Sequence, residues 1–367
     1  MTKSLIPMTH RNHYLALWLL LVGLVQLGAG PNPPAGARLP LTDMGSATYL
    51  GFEGGLYPAQ SNTMPIAHAQ AGVERANLIQ PLDVNGNPAA GGNYVLLSVG
   101  MSNATQEFCI EYNTNGVMCD TWTFMGQAAG DPTVNHDSLI IIDGARSGQV
   151  ATLWDSATDL NYNWVRDYTL TPLGLSEQQV QVVWVKVANP NPNPTLSLPD
   201  ANADAYQLLT SLGNIVRALK VRYPQIRQVF LSSRIYAGYA TSPLNPEPFA
   251  YESGFAVKWL IEAQTTQMAS GGTVIDPLAG DLNYDTVAPW LAWGAYLWAD
   301  GLTPRSDGLT WALADLEPDG THPTQTGETK VGTWLLDFFS SSLQTRCWFR
   351  VNASCESYPV FLPIVQR

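Results

Sequence analysis

One amphipathic segment between two apolar runs constrains this chain most. From Asp204 to Val221, Tyr206, Leu208, Leu209, Leu212, Ile215, Val216 and Leu219 recur at helical spacing. Asp204 is placed to cap the start, and Gly213 is the weak point of the helix. Before it lies Val180 to Val187, and after it Gln228 to Ser232. Both are short apolar runs of the kind that a strand buried on both faces requires. Strand, helix and strand in that order make a right-handed parallel crossover. The same strand signature occurs at Tyr94 to Gly100 and at Ser138 to Ile142, and helices are expected over 252–268 and 324–340. The alternation predicts an α/β fold with a doubly wound parallel sheet.

The remaining segments fit around that core. Residues 38–92 are rich in Gly, Pro and Asn and are expected to wrap the surface irregularly. Pro190 to Pro194 reads as a stiff loop inside the domain, not a linker, because the alternation continues on both sides. Residues 271–316 read as irregular and aromatic, with Trp290, Trp293, Tyr296, Trp298 and Trp311. The expected organisation is a leader at 1–37, the wrap at 38–92, an α/β domain at 93–345 and a tail at 346–367, whose residues 358–367 read as a short apolar strand.

The leader reading rests on Lys3 and Arg11 ahead of a mostly apolar run from Tyr14 to Leu27, then small residues. That pattern is a secretory signal peptide, with an uncleaved anchor as the alternative. The formal charge is −12, and −14 without residues 1–37, which hold two basic and no acidic residues. Such a surface argues against nucleic acid and anionic lipid as partners. Cys109, Cys119, Cys347 and Cys355 form two local pairs with no C-x-x-C. In an exported chain these read as disulfides Cys109–Cys119 and Cys347–Cys355.

Ligands of open parallel sheets bind at the carboxyl ends of the strands. Ser102 follows the first strand in Gly100-Met101-Ser102-Asn103-Ala104, as an exposed nucleophile or a helix cap. Asp143 to Gln149, with Gly148, follows the second, as a backbone donor or an ordinary loop. Asn189 ends the third, as an amide donor or an Asn-Pro turn. Arg234 ends the fourth, facing the cleft or held in a salt bridge. Of five histidines, His322 alone has an acid at short, defined spacing, in Asp319-Gly320-Thr321-His322-Pro323. Asp281-x-Asn283-x-Asp285 starts like a calcium loop but lacks the Gly and Glu of one, and reads as a turn.

In this order the strand ends and the Asp-x-x-His block resemble the SGNH, or GDSL-type, hydrolases over residues 93 to 340. The resemblance implies a flavodoxin-like sheet and a triad of Ser102, His322 and Asp319. It also implies an oxyanion hole from the N–H groups of Ser102 and Gly148 and the amide of Asn189. Gly-Met-Ser in place of Gly-Asp-Ser, Ala188-Asn189-Pro190 in place of Gly-x-Asn-Asp, and Asp143 where an Asn is common mark a divergent sequence, and Asn189 is the least secure position. No cofactor or metal is implied. The expected activity is ester hydrolysis outside the cell, first on O-acetyl groups of carbohydrate, with a lipase or general carboxylesterase as the alternative and a silent glycan-binding protein as another. Trp290, Trp293, Tyr296 and Trp298 are candidates for a glycan groove or for packing.

Overall fold

The computed structural model describes residues 38–109 and 119–355. The expected leader at 1–37 and the strand reading at 358–367 lie outside the described residues. After a 3-10 turn at Leu41–Asp43, the N-terminal stretch forms a hairpin of β1 (Thr48–Tyr49) and β2 (Phe52–Glu53), followed by helix α1 (Ile66–Ala76). Helix α1 corrects the expectation of an irregular wrap, because it packs on the last two strands of the sheet. Its inward residues are His68, Ala69, Gly72 and Val73, which carry too little apolar periodicity to announce a helix. Gly72 is what lets it dock: a Cβ there would stand 2.3 Å from the ring of Trp290.

The central sheet holds β3 (Tyr94–Gly100), β4 (Leu139–Ile142), β5 (Val180–Lys186), β6 (Gln228–Leu231) and β7 (Trp290–Trp293). All pairs are parallel, in the order β4-β3-β5-β6-β7. Counted over these five strands the order is 2-1-3-4-5, the flavodoxin-like arrangement, whose switch point lies between β3 and β5. The strands β3 and β5 are buried along their whole length, as their unbroken apolar runs require.

The helices are α2 (Ser102–Phe108), α3 (Phe124–Gly130), α4 (Leu160–Trp164), α5 (Asp204–Arg222), α6 (Phe249–Ala269), α7 (Gln325–Ser341) and α8 (Arg346–Phe349). Strand alternation divides the core between two faces. Val95, Leu97, Val99, Val183, Val185 and Val229 pack with the apolar sides of α5 and α6. Leu96, Val182, Trp184, Phe230 and Trp290 pack with residues of α1, α2, α3 and α7. The doubly wound α/β fold is therefore present.

Two local expectations change. Asp204 is the first helical residue of α5, Ala203 is the cap, and the Asp204 carboxylate turns to Asn189 instead. Gly213 is a requirement of packing, since a Cβ there would stand 2.1 Å from the carbonyl oxygen of Ala279. The Asp281 turn is closed by its own side chains: Asp281 Oδ1 accepts the N–H of Asn283 and Asn283 Oδ1 that of Asp285. Disulfides join Cys109 to Cys119 and Cys347 to Cys355. Among the described residues no helix is long and apolar enough to cross a membrane.

Candidate active site

Strand β3 turns into α2 through Gly100, where a Cβ would collide with the Ala104 side chain at 2.4 Å and the Lys186 carbonyl at 2.6 Å. Ser102 is the first residue of α2, at the carboxyl edge of the sheet. Its Oγ lies 2.8 Å from His322 Nε2. On the other side of the ring, His322 Nδ1 lies 2.5 Å from Asp319 Oδ2. A carboxylate at Nδ1 holds the proton there, so Nε2 is left as the acceptor for the Ser102 hydroxyl.

The loop that carries Asp319 and His322 is fixed by its own backbone. Asp319 Oδ1 accepts the N–H groups of Thr321 at 2.9 Å and His322 at 3.0 Å. Partial burial works against the Asp319 charge, but these bonds and the His322 ring prevail and hold its carboxyl below the ordinary value. Gly320 has φ +65°, and a Cβ on it would come within 1.9 Å of the Tyr239 carbonyl oxygen. Only glycine satisfies both demands.

Ser102, Gly148, Asn189 and His322 line one cavity of about 280 Å³. Gly148 stands exposed at its rim with φ +75°. Neither its N–H nor that of Ser102 is taken by a backbone carbonyl among the described residues. Asn189 Nδ2 lies 3.0 Å from Asp204 Oδ1, which uses one of its two amide hydrogens and leaves the other. The Gly148 loop starts from Asp143, a fully buried carboxyl that accepts from Ser98, Thr105 and the N–H of Ala145. Burial pushes Asp143 up to about 7, against the pull of those three donors.

The remaining sequence candidates are placed differently. Arg234 lines the cavity but is 0% exposed and makes no salt bridge among the described residues; Nη1 donates to Asn103 Oδ1 at 2.6 Å. Trp293 is 2% exposed, packs in the α5–α6 core and donates its indole N–H to the Leu56 carbonyl. It does not line the cavity, and neither do Trp290, Tyr296 and Trp298, which are likewise buried. Of the two readings of these rings, groove or packing, the structure has packing: Trp290 and Trp293 belong to the buried strand β7, and Tyr296 and Trp298 are buried beyond it. His68 is a core histidine on the Leu291 carbonyl, pushed down to about 4 by burial. His136 bonds the Asp131 carbonyl at the surface. Asn103, Thr321, Val150, Leu244 and Asn245 also line the cavity, and no pattern in the sequence marks them as wall residues. Among the described residues no cluster of three or more His, Cys, Asp or Glu side chains could hold a metal ion.

No protein-family model matches the chain, and no curated protein matches it. Solved structures similar to it include the extracellular lipase of Streptomyces rimosus, at 15% identity and a TM-score of 0.34, covering 68% of this chain and 99% of that one. Another is a putative GDSL-like lipase from Parabacteroides merdae, at 11% identity and a TM-score of 0.35, covering 71% of this chain and 97% of that one. The acetylxylan esterase Axe2 from Geobacillus stearothermophilus matches at 14% identity and a TM-score of 0.36, covering 71% of this chain and 98% of its own.

Proposed function

We propose that the chain is a serine ester hydrolase of the SGNH, or GDSL-type, family, acting outside the cell on short-acyl esters, with O-acetylated carbohydrate as the first substrate class. The observation that carries this reading is the continuous contact from Asp319 through His322 to Ser102 at the mouth of a cavity. In the mechanism it supports, His322 Nε2 takes the Ser102 proton as Oγ attacks the ester carbonyl. Asp319 holds the tautomer and stabilises the imidazolium. The oxyanion is received by the N–H groups of Ser102 and Gly148 and by the free amide hydrogen of Asn189. His322 then returns the proton to the leaving alcohol, and water repeats the sequence on the acyl-enzyme.

The size of the cavity favours a short acyl group. At about 280 Å³ it lies at the lower end of ligand pockets, which run from roughly 300 to 1,000 Å³. Gly148, Pro190 and Leu244 stand exposed beside it, so a bulky alcohol portion can remain outside. Two disulfides suit an oxidising compartment, in keeping with export.

The test is acetate release from acetylated glycans together with nitrophenyl esters of increasing chain length. Activity should be highest on acetyl and propionyl esters. Ser102→Ala should abolish both hydrolysis and labelling by a fluorophosphonate probe. Normal turnover by folded Ser102→Ala would sink the mechanism, and a preference for long chains would overturn the substrate class.

A further inference from the structure

We infer that Arg234 and Asn103 form a positioning relay that holds the His322 loop against the Ser102 helix; the inference rests on the proposed ester hydrolysis. The chain of contacts runs through three parts of the fold. Arg234, three residues beyond β6, donates from Nη1 to Asn103 Oδ1 at 2.6 Å. Asn103, the residue after the nucleophile, donates from Nδ2 to the Thr321 carbonyl at 2.8 Å. Thr321 precedes His322. The side chain of one amide thus bonds the residue beside the base while its own backbone carries the serine.

The chemistry of each member suits holding rather than contacting substrate. Arg234 and Asn103 lie in the cavity wall at 0% and 1% exposure, and Arg234 Nη1 and both ends of the Asn103 carboxamide are engaged by protein partners. A carboxamide has one acceptor and one donor end, so Asn103 can be gripped by a cation on one side and grip a carbonyl on the other. Arg234 is anchored at its backbone, where its N–H donates to Ser253 Oγ at the start of α6. Among the described residues its Nε and Nη2 have no acceptor. Burial disfavours its charge, while Glu107, Glu247 and Asp319 favour it. Glu107 lies one helical turn after Asn103 on the same face of α2 and is paired with Lys186, both fully buried. A buried arginine with one side-chain hydrogen bond and two donor nitrogens unmet is an expensive way to stabilise a core. Its one bond falls on the residue next to the nucleophile, where a small displacement of serine against histidine is most costly to rate.

The experiment is a double-mutant cycle on nitrophenyl acetate with Asn103→Ala, Arg234→Ala and the pair, with Arg234→Lys as the conservative variant. Each single change should lower kcat by about ten- to a hundredfold with KM nearly unchanged, the scale of a displacement near 1 Å. Fluorophosphonate labelling should slow in parallel. The pair should lose no more than the worse single variant, because the relay acts as one unit. Arg234→Lys should recover part of the loss. Full kcat in folded Asn103→Ala, losses that multiply in the pair, or an effect confined to KM would each overturn the relay. Asn103→Ala leaves the Glu107–Lys186 and Arg234 charges in place, so the cycle stays decisive if Arg234→Ala fails to fold: labelling by Asn103→Ala then decides alone. Wild-type protein that neither hydrolyses nor labels would instead defeat the proposed activity itself.

Discussion

Asn189 is the residue on which the proposed oxyanion hole is most exposed to test. Three residues past β5 its carboxamide lines the cavity, its Nδ2 bonds Asp204, and its Oδ1 is buried with no partner among the described residues. Asp204 therefore fixes which way the amide faces, and the second amide hydrogen is the one left for substrate. Asn189→Ala should lower kcat by about a hundredfold or more, the usual cost of losing one such donor, with the fold intact. Steady-state kinetics on nitrophenyl acetate reads it; unchanged kcat would remove Asn189 from the site. At this scale much of the candidate site was legible. Ser102, Gly148 and Asn189 stand out because each follows a strand, and His322 because Asp319 lies three residues before it; the fold places Ser102, Gly148, Asn189 and His322 around one cavity. What could not be read were contacts made across the fold. Nothing in the sequence joins Asn103 to Thr321, 218 positions away. Trp293 stays open in the sequence between cleft and packing because tryptophan at a cleft and tryptophan in a core look alike until burial is known.

At the scale of elements, long periodic segments were read well and short ones were not. The helix expected over 204–221 spans Asp204–Arg222, and those expected over 252–268 and 324–340 span Phe249–Ala269 and Gln325–Ser341. Strand β7 has four residues, two of them tryptophans, too few to establish a period. Helix α1 carries His68 and Gly72 where a stronger apolar pattern would signal a buried face. Gly213 shows how tertiary contact overrides propensity. In an isolated helix, Gly→Ala adds about 1 kcal/mol of stability. Here the new Cβ would stand 2.1 Å from the Ala279 carbonyl oxygen, so the loop at 279 must be displaced from α5. Gly213→Ala should destabilise the protein by about 1–3 kcal/mol, as overpacking does. Urea unfolding measures it, and a stabilised variant would show that α5 and the loop yield without cost.

Over the whole molecule, buried acids set an unusual response to pH. Burial pushes Asp143, Glu252 and Glu328 up to about 7, from ordinary values of 3.8, 4.5 and 4.5. Glu107 and Glu247 are raised by burial as well. Between the ordinary value and about 7, each such carboxyl keeps its proton in the folded chain and loses it in the unfolded chain. The folded state then binds more protons, and stability falls as pH rises through that window. His68 opposes this. It is held down to about 4 from 6.5, so between those values it is neutral when folded and protonated when unfolded, and acid costs stability. Asp319, lowered from 3.8, acts only at more acid pH. Three carboxyls near 7 outweigh one imidazole, and the net charge of −12 adds self-repulsion that grows as these acids ionise. Tm should therefore rise as pH is lowered from 8 to about 5.5, and fall again below about 4 as the lowered aspartates take up protons. Asp143→Asn, which keeps an acceptor for Ser98 and Ala145 but cannot ionise, should flatten the upper slope. Calorimetry at constant ionic strength measures both. A Tm that climbs steadily from pH 5.5 to 8 would mean that the buried carboxyls are ionised in the folded chain, and Asp143→Asn would then leave the slope unchanged.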